Sequence, residues 1–432
     1  MGFFIEKIKN LYYGWMMVSL AVIGMTVLGI QAFSFGIFMK PVTEELHLTR
    51  GALTLAVTLP GFLGGLIQIY AGRLTDKYGP RYLVFICGVV TFIGYFLMSK
   101  VQAIWQVYAI YLLPMLIGNA CGYLPIVANL TRWFGPRFLG TAIGISVTGF
   151  TIGGSIGPMM IQSLISAYGW RQAYILMGLI FIVVLGIISP FMKQSPQDMG
   201  LQPLREEVLP AYEPQVPVSE PSLVSRYSSP LTEGMSFIET VKTGRFWIFS
   251  IIGIVYLFAW MSMIQHLAPH ATDVGIPAMT AAGIVSIIAI GGIFGKLVFG
   301  VIVGWTGTRK ALCGCLVLFT LPQLLLLFGT GIWSFYCFAV IFGFAYGGMV
   351  TLTNVGTTEF FGVKSIGTIL AVYYYVTGFG SLVGPSMFGF IFDFTGGYRL
   401  AFLITIMLCV CAFILSLILL LSDFRMPVKM NA

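Results

Sequence analysis

Apolar residues fall in long blocks along this chain, separated by short polar stretches. A helix needs about 20 mostly apolar residues to cross a bilayer. Twelve blocks meet that requirement: 14–38, 53–71, 82–100, 104–130, 138–163, 172–192, 245–270, 279–303, 310–330, 332–357, 365–392 and 399–422. The pattern changes between the sixth and seventh, where "LPAYEPQVPVSEPSLVSRYSSP" is rich in Pro, Ser and Glu. Such a composition cannot bury a core and predicts a mobile linker. The pattern therefore predicts an all-α membrane protein in three parts: an N-terminal six-helix bundle (1–192), a cytoplasmic linker (193–243) and a C-terminal six-helix bundle (244–432).

Composition strengthens this picture. The chain is 58% hydrophobic and 9% charged, against about 25% charged in soluble domains. A net charge of +8 would suit a nucleic-acid binder if it were clustered, but the basic residues are scattered singly through the loops. With the N-terminus inside, 17 Lys and Arg lie on the cytoplasmic side and 5 outside (Lys40, Arg50, Lys100, Arg171 and Arg399). That bias orients a polytopic protein. It predicts a multi-pass protein of the plasma membrane, a bacterial inner membrane, with both termini in the cytoplasm. Of the 23 basic residues one remains, Lys296, inside the eighth block. All 15 acidic residues fall in loops or at span ends, so no acid accompanies Lys296 at depth.

Other chemistry is sparse. The seven cysteines lie in apolar runs and read as small apolar residues, without a disulfide framework. Cys313-Gly-Cys315 is not the spacing of a metal site, so neither metal nor cofactor is expected. No Gly-rich loop ending in Lys-Ser/Thr is present, which excludes an ATPase motor, and no catalytic constellation points to an enzyme. Met1–Asn10 is short and basic, and the first apolar run reads as a retained anchor rather than a cleaved leader.

The two halves resemble each other. "GRLTDKYGPR" (72–81) has a counterpart in "GVIVGWTGTR" (300–309), Gly157-Pro158 in Gly384-Pro385, and "YGWRQAY" (168–174) in "GGYRLAF" (396–402). The near-constant spacing indicates a duplicated six-helix unit, an arrangement in which transporters hold substrate near the midplane between the halves.

The first of these stretches resembles the signature of the major facilitator superfamily between its second and third helices, G-x-x-x-D-R/K-x-G-x-R/K. Gly72, Asp76, Lys77, Gly79 and Arg81 match it. Gly79 permits a tight turn, and Asp76 can cap a helix or pair with Arg81. The resemblance implies a cytoplasmic gate that latches the halves. In the second copy Gly304 and Trp305 replace the acid and the base. A narrower resemblance, to monocarboxylate transporters and bacterial relatives including oxalate–formate exchangers, rests on several stretches. These are "YYGW", "GIFMKPVTEELHLTRG", "RWFGPRFLGTAIGISVTGFTIGG", "QHLAPHATDVGI" and "AAGIVSIIAIGGIFGKLVFG". In those relatives the position of Lys296 is typically an arginine that meets the substrate carboxylate. Many animal members carry an acid implicated in proton coupling where this chain has Gly292, and the dicarboxylate exchanger has a second lysine where this chain has Tyr373. One buried cation instead of two favours a monoanion.

Lys296 can be read in two ways: its long stem reaches toward the cytoplasm, or its ammonium faces a water-filled cavity and holds an anion. Small neighbours (Gly292, Ala289 and Ser286) would leave a ligand room. Asn119 and Tyr123 share one helix face, and Tyr123 aligns with a substrate-contacting tyrosine of the relatives. Tyr346, Thr353, Asn354 and Tyr373–Tyr375 add hydroxyl and amide candidates, and Gln31, Phe33 and Phe35 are cavity candidates. His266 and His270 end the seventh span, and His266 is the candidate proton carrier. The expected function is secondary transport of a small monocarboxylate (lactate, pyruvate, formate or acetate) by alternating access in a monomer. Proton symport is the leading mode and anion exchange the alternative, with a non-transporting carboxylate sensor behind both.

Overall fold

The computed structural model describes residues 13–200 and 235–421, apart from residue 363 and the side chains of Ile69, Asp76, Pro136 and Arg137. Most of the expected linker lies outside the described residues. Within them every regular element is a helix, and twelve are long and apolar enough to cross a membrane. In the first half these are α1 (Tyr13–Leu46), α2 (Arg50–Tyr78), α3 (Pro80–Met98), α4 (Ile104–Trp133), α5 (Pro136–Tyr168) and α6 (Trp170–Ile188). In the second they are α7 (Gly244–Asp273), α8 (Ala278–Thr306), α9 (Thr308–Phe328), α10 (Ile332–Phe361), α11 (Ile366–Thr395) and α12 (Arg399–Leu421). A short helix, Phe237–Val241, leads into α7. Within α4 a π-helical turn, Tyr111–Met115, contains Pro114; the wider turn accommodates a ring that clashes in a regular helix and brings no N–H.

Several helices outrun their apolar blocks. α1 continues to Leu46 through Pro41, and α2 continues to Tyr78. Hydropathy measures only the depth of hydrocarbon, whereas a helix satisfies its own backbone bonds and continues into the aqueous layer. The 72–81 signature therefore is not a loop. Its residues up to Tyr78 are the last two turns of α2, Gly79 alone makes the turn at φ 81°, and Pro80 begins α3. That conformation suits glycine. The N-cap residue of α3 is Gly79, which has no side chain to cap the helix. Gly307 makes the corresponding turn between α8 and α9 at φ 77°.

The repeat is visible in the packing. α1 lies on α5, α2 on α4 and α3 on α6; in the second bundle α7 lies on α11, α8 on α10 and α9 on α12. Glycines close equivalent seams. A Cβ on Gly153 would come within 1.9 Å of the Thr26 carbonyl, and one on Gly380 within 2.0 Å of the Ile254 carbonyl. In lipid such close backbone approach supplies the packing energy that hydrophobicity cannot. The bundles meet through three helix pairs: α1 with α7, α2 with α11 and α5 with α8.

Candidate functional site

Lys296 lies on α8 and points across the bundle interface. Its Nζ donates to Thr151 Oγ1 on α5 at 2.9 Å and stands 5.8 Å from the centroid of the Tyr346 ring on α10. Among the described residues no carboxylate pairs with it. A membrane-embedded ammonium is costly, and this one is met by a neutral hydroxyl and the face of one aromatic ring. Of the two sequence readings, the interior placement is the one seen.

The small residues beside it have a different use from the one expected. α8 and α10 are joined by a glycine seam. A Cβ on Gly295 would lie 1.9 Å from the Phe344 carbonyl, and one on Gly347 would lie 2.2 Å from the Gly292 carbonyl. The space over Gly292 is occupied by the Tyr346 ring, 2.8 Å from where a Cβ would be. The stripe therefore admits a neighbouring helix and a tyrosine rather than a ligand. Gly292 is required by that ring, so an acid at this position is incompatible with Tyr346 as placed.

Tyr346 is buried and stacked on Trp260 of α7, with centroids 3.5 Å apart. Phe33 is also buried, packed against Gly154, Phe150 and Trp260. Tyr373 is buried in the C-terminal bundle, stacked on Phe249 and lying over Gly253. Of the next two tyrosines, Tyr374 donates to Asn354 Oδ1 at 3.0 Å, and Tyr375 stacks on Phe62 across the interface. The three expected candidates Tyr346, Phe33 and Tyr373 are thus core or wall residues. Asn119 and Tyr123 are exposed. They line a cavity of about 410 Å³ that Gln31, Gln68, Phe150 and Gln265 also line. Phe150 precedes Thr151, the partner of Lys296, so the cavity reaches this stretch of α5, although Lys296 itself is not among its lining residues. Thr151, Trp260, Gln68 and Gln265 were not legible in the sequence. Each is an ordinary residue in an apolar run, and only its distant neighbours give it a role.

At the face remote from the linker the bundles are clasped. The Arg50 guanidinium makes a bidentate pair with Asp273 of α7 (2.6 and 2.9 Å), and its Nη1 also donates to Tyr398 Oη at 2.8 Å. Arg50 further sits 3.7 Å over the Phe392 ring. Asp393 of α11 accepts the backbone N–H groups of Arg50 and Gly51, each at 2.8 Å, and so caps the N-terminus of α2 from the other bundle. Lys40 adds a 3.2 Å ion pair to Asp273. Thr58 and Ser386 share a hydrogen bond one layer deeper.

His266 belongs to this clasp. Its ring is buried, with Nδ1 3.0 Å from Tyr398 Oη and Nε2 2.8 Å from the Pro385 carbonyl. A carbonyl only accepts, so Nε2 carries hydrogen and Nδ1 accepts from Tyr398, which a neutral ring satisfies. His270 sits among Phe335, Tyr398 and Phe402. At the linker face Lys77 and Arg81 are exposed and lie over the Tyr78 and Tyr82 rings. The Asp76 side chain is outside the described residues.

Two repeated six-helix bundles, clasped at one face and holding a cation between them, make up a multi-pass membrane protein. The sequence profile of the Major Facilitator Superfamily matches residues 21–312 and 304–429, and the chain belongs to that family. It is 28% identical over 320 residues to monocarboxylate transporter 12 of Rattus norvegicus, a match covering 70% of this chain and 63% of the rat protein. The chain thus spans less than two thirds of the length of that relative. It is 22% identical to the MFS-type transporter YcxA of Bacillus subtilis (strain 168), over 86% of this chain and 87% of YcxA. The fold matches a bacterial homolog of the human lysosomal transporter Spinster in an inward-facing, unoccupied conformation. That match has a TM-score of 0.71 at 15% identity and covers 94% of this chain and 98% of that one. The nucleoside transporter NupG matches at TM-score 0.68 and 14% identity, over 96% and 100% of the two chains.

Proposed function

We propose that the chain moves small monocarboxylates across the membrane by alternating access, with the substrate carboxylate bound to Lys296. The carrying observation is an ammonium between the bundles whose hydrogen-bond partner is a neutral hydroxyl. A carboxylate supplies the missing opposite charge, and a charge-assisted bond contributes roughly 1.5–3 kcal/mol. The names of the monocarboxylate transporter relatives support this reading. In it the linker face is cytoplasmic, the membrane is a bacterial inner membrane, and the rocking units are the bundles 1–192 and 244–432 of a monomer. The far-face cluster around Arg50 is then the outer clasp, engaged in this structure. The 72–81 signature acts as the opposing cytoplasmic latch when the inner face closes.

Proton symport is the coupling we favour. His266 is tied at both nitrogens within the clasp, which leaves the substrate carboxylate and Lys296 to carry the proton. The test is uptake of labelled lactate, formate or acetate into proteoliposomes. Lys296→Ala is expected to abolish it and Lys296→Arg to retain a fraction, while normal transport by Lys296→Ala overturns the assignment. Counterflow that is insensitive to a pH gradient overturns symport in favour of anion exchange.

A further inference from the structure

The cavity that reaches Phe150, next to the Thr151 partner of Lys296, is larger and more polar than a three-carbon acid requires. At about 410 Å³ it has the volume of roughly a dozen water molecules at ~30 Å³ each, and therefore room for a ligand of about a dozen non-hydrogen atoms. Lactate fills half of it. Its lining carries no charged side chain. It carries four carboxamides, Gln31, Gln68, Asn119 and Gln265, drawn from α1, α2, α4 and α7, together with tyrosine and phenylalanine rings. Carboxamides donate and accept at once, so they suit an uncharged polar group rather than a second anion.

One of them lacks a partner. Gln265 is 8% exposed and lines the cavity, yet its Oε1 has no hydrogen-bond partner; the same holds for Ser34 Oγ on the same wall. A buried acceptor left unpaired costs roughly 1–3 kcal/mol, which a ligand carrying an N–H or O–H recovers. The other wall is aromatic: Tyr123 meets Phe150 edge to face at 6.4 Å, and Phe150 adjoins the residue that holds Lys296.

We infer that the preferred substrate is a monocarboxylate with an uncharged aromatic or similarly sized body that carries an N–H or O–H donor. Its carboxylate meets Lys296, and its body occupies the carboxamide-lined cavity with the donor on Gln265. This rests on the carboxylate reading of Lys296 and extends it to a second point of contact. The step is binding only, and no bond is made or broken.

The experiment measures binding to the purified full chain in detergent by thermal shift and by competition against labelled lactate. Four probes are compared: 4-hydroxyphenylpropanoate, its 4-methyl analogue without the donor, the methyl ester of the hydroxy acid, and lactate. The hydroxy acid is expected to bind at least tenfold more tightly than lactate and severalfold more tightly than the 4-methyl acid. Gln265→Leu is expected to reduce the ratio of hydroxy-acid to lactate affinity about tenfold. Asn119→Ala, at an exposed position, serves if Gln265→Leu does not fold, and is expected to reduce the same ratio. Hydroxy acid binding no tighter than lactate overturns the inference and leaves the Lys296 reading standing. Ester and acid binding equally, with Lys296→Ala unaffected, overturns the carboxylate reading and with it the two-point substrate. No binding by any probe overturns both.

Discussion

The clasp at the far face and the site around Lys296 solve the problem of a charge between bundles in opposite ways. Arg50 is met by the Asp273 carboxylate, a phenol and an aromatic face, while Asp393 takes the two N–H groups at the start of its helix. Lys296 has one hydroxyl and a ring face. The first cluster is closed on itself and can serve only to hold surfaces together. The second has no charged partner among the described residues, and it is the proposed carboxylate that would complete it. On that proposal the compensated charge is a structural joint and the under-compensated one a binding site.

The sharpest way to break this contrast is to remove the incomplete charge. Lys296→Ala should reduce uptake to background, because roughly 1.5–3 kcal/mol of charge-assisted binding is lost, about a tenfold to hundredfold loss in affinity. Lys296→Arg should lie between the two, since a planar fork replaces a point charge. The clasp is attacked next. Arg50→Ala removes the bidentate partner of Asp273, which keeps only its ion pair with Lys40, and should open the far face. A cysteine at Ser386, now bonded to Thr58, should be protected from a membrane-impermeant thiol reagent in the parent and labelled in Arg50→Ala. Protection in both would mean that the clasp does not set the conformation.

Gly292→Asp tests whether the missing acid can simply be restored. A side chain there meets the Tyr346 ring, so the melting temperature should fall by the equivalent of roughly 1–3 kcal/mol, without a gain in proton-coupled uptake. A stable variant with stronger coupling would show that the ring yields. The smallest effect is expected from Thr151→Val. It removes a single neutral partner, worth roughly 1 kcal/mol, and should change the apparent affinity for acetate no more than about fivefold. A complete loss would make Thr151 part of the binding site rather than a support for it.

Much of the architecture was legible beforehand. Hydropathy located all twelve spans, and the spacing between repeated motifs announced a duplication that reappears as three repeated helix pairings. Lys296 stood out because a solitary cation in an apolar block has few inexpensive explanations. The surroundings were less legible. Arg50 looked like one more loop charge, since its partner Asp273 is 223 residues away. The small residues before Lys296 looked like room for a ligand, and the tyrosine that fills that room comes from another helix. Phe33 and Tyr373 were equally plausible as cavity or core, because helix phase alone does not say which face of a fully apolar helix meets a neighbour.

The sequence by itself determined the number of spans, the six-plus-six division and the one cation at depth. These follow from transfer free energies that each segment carries locally. Tertiary structure alone decided which charges are satisfied and which are not, that Gly292 serves a tyrosine ring, and that four carboxamides from four helices share one cavity. Satisfaction and shape depend on distances between residues far apart in the chain, and those exist only once the helices have packed.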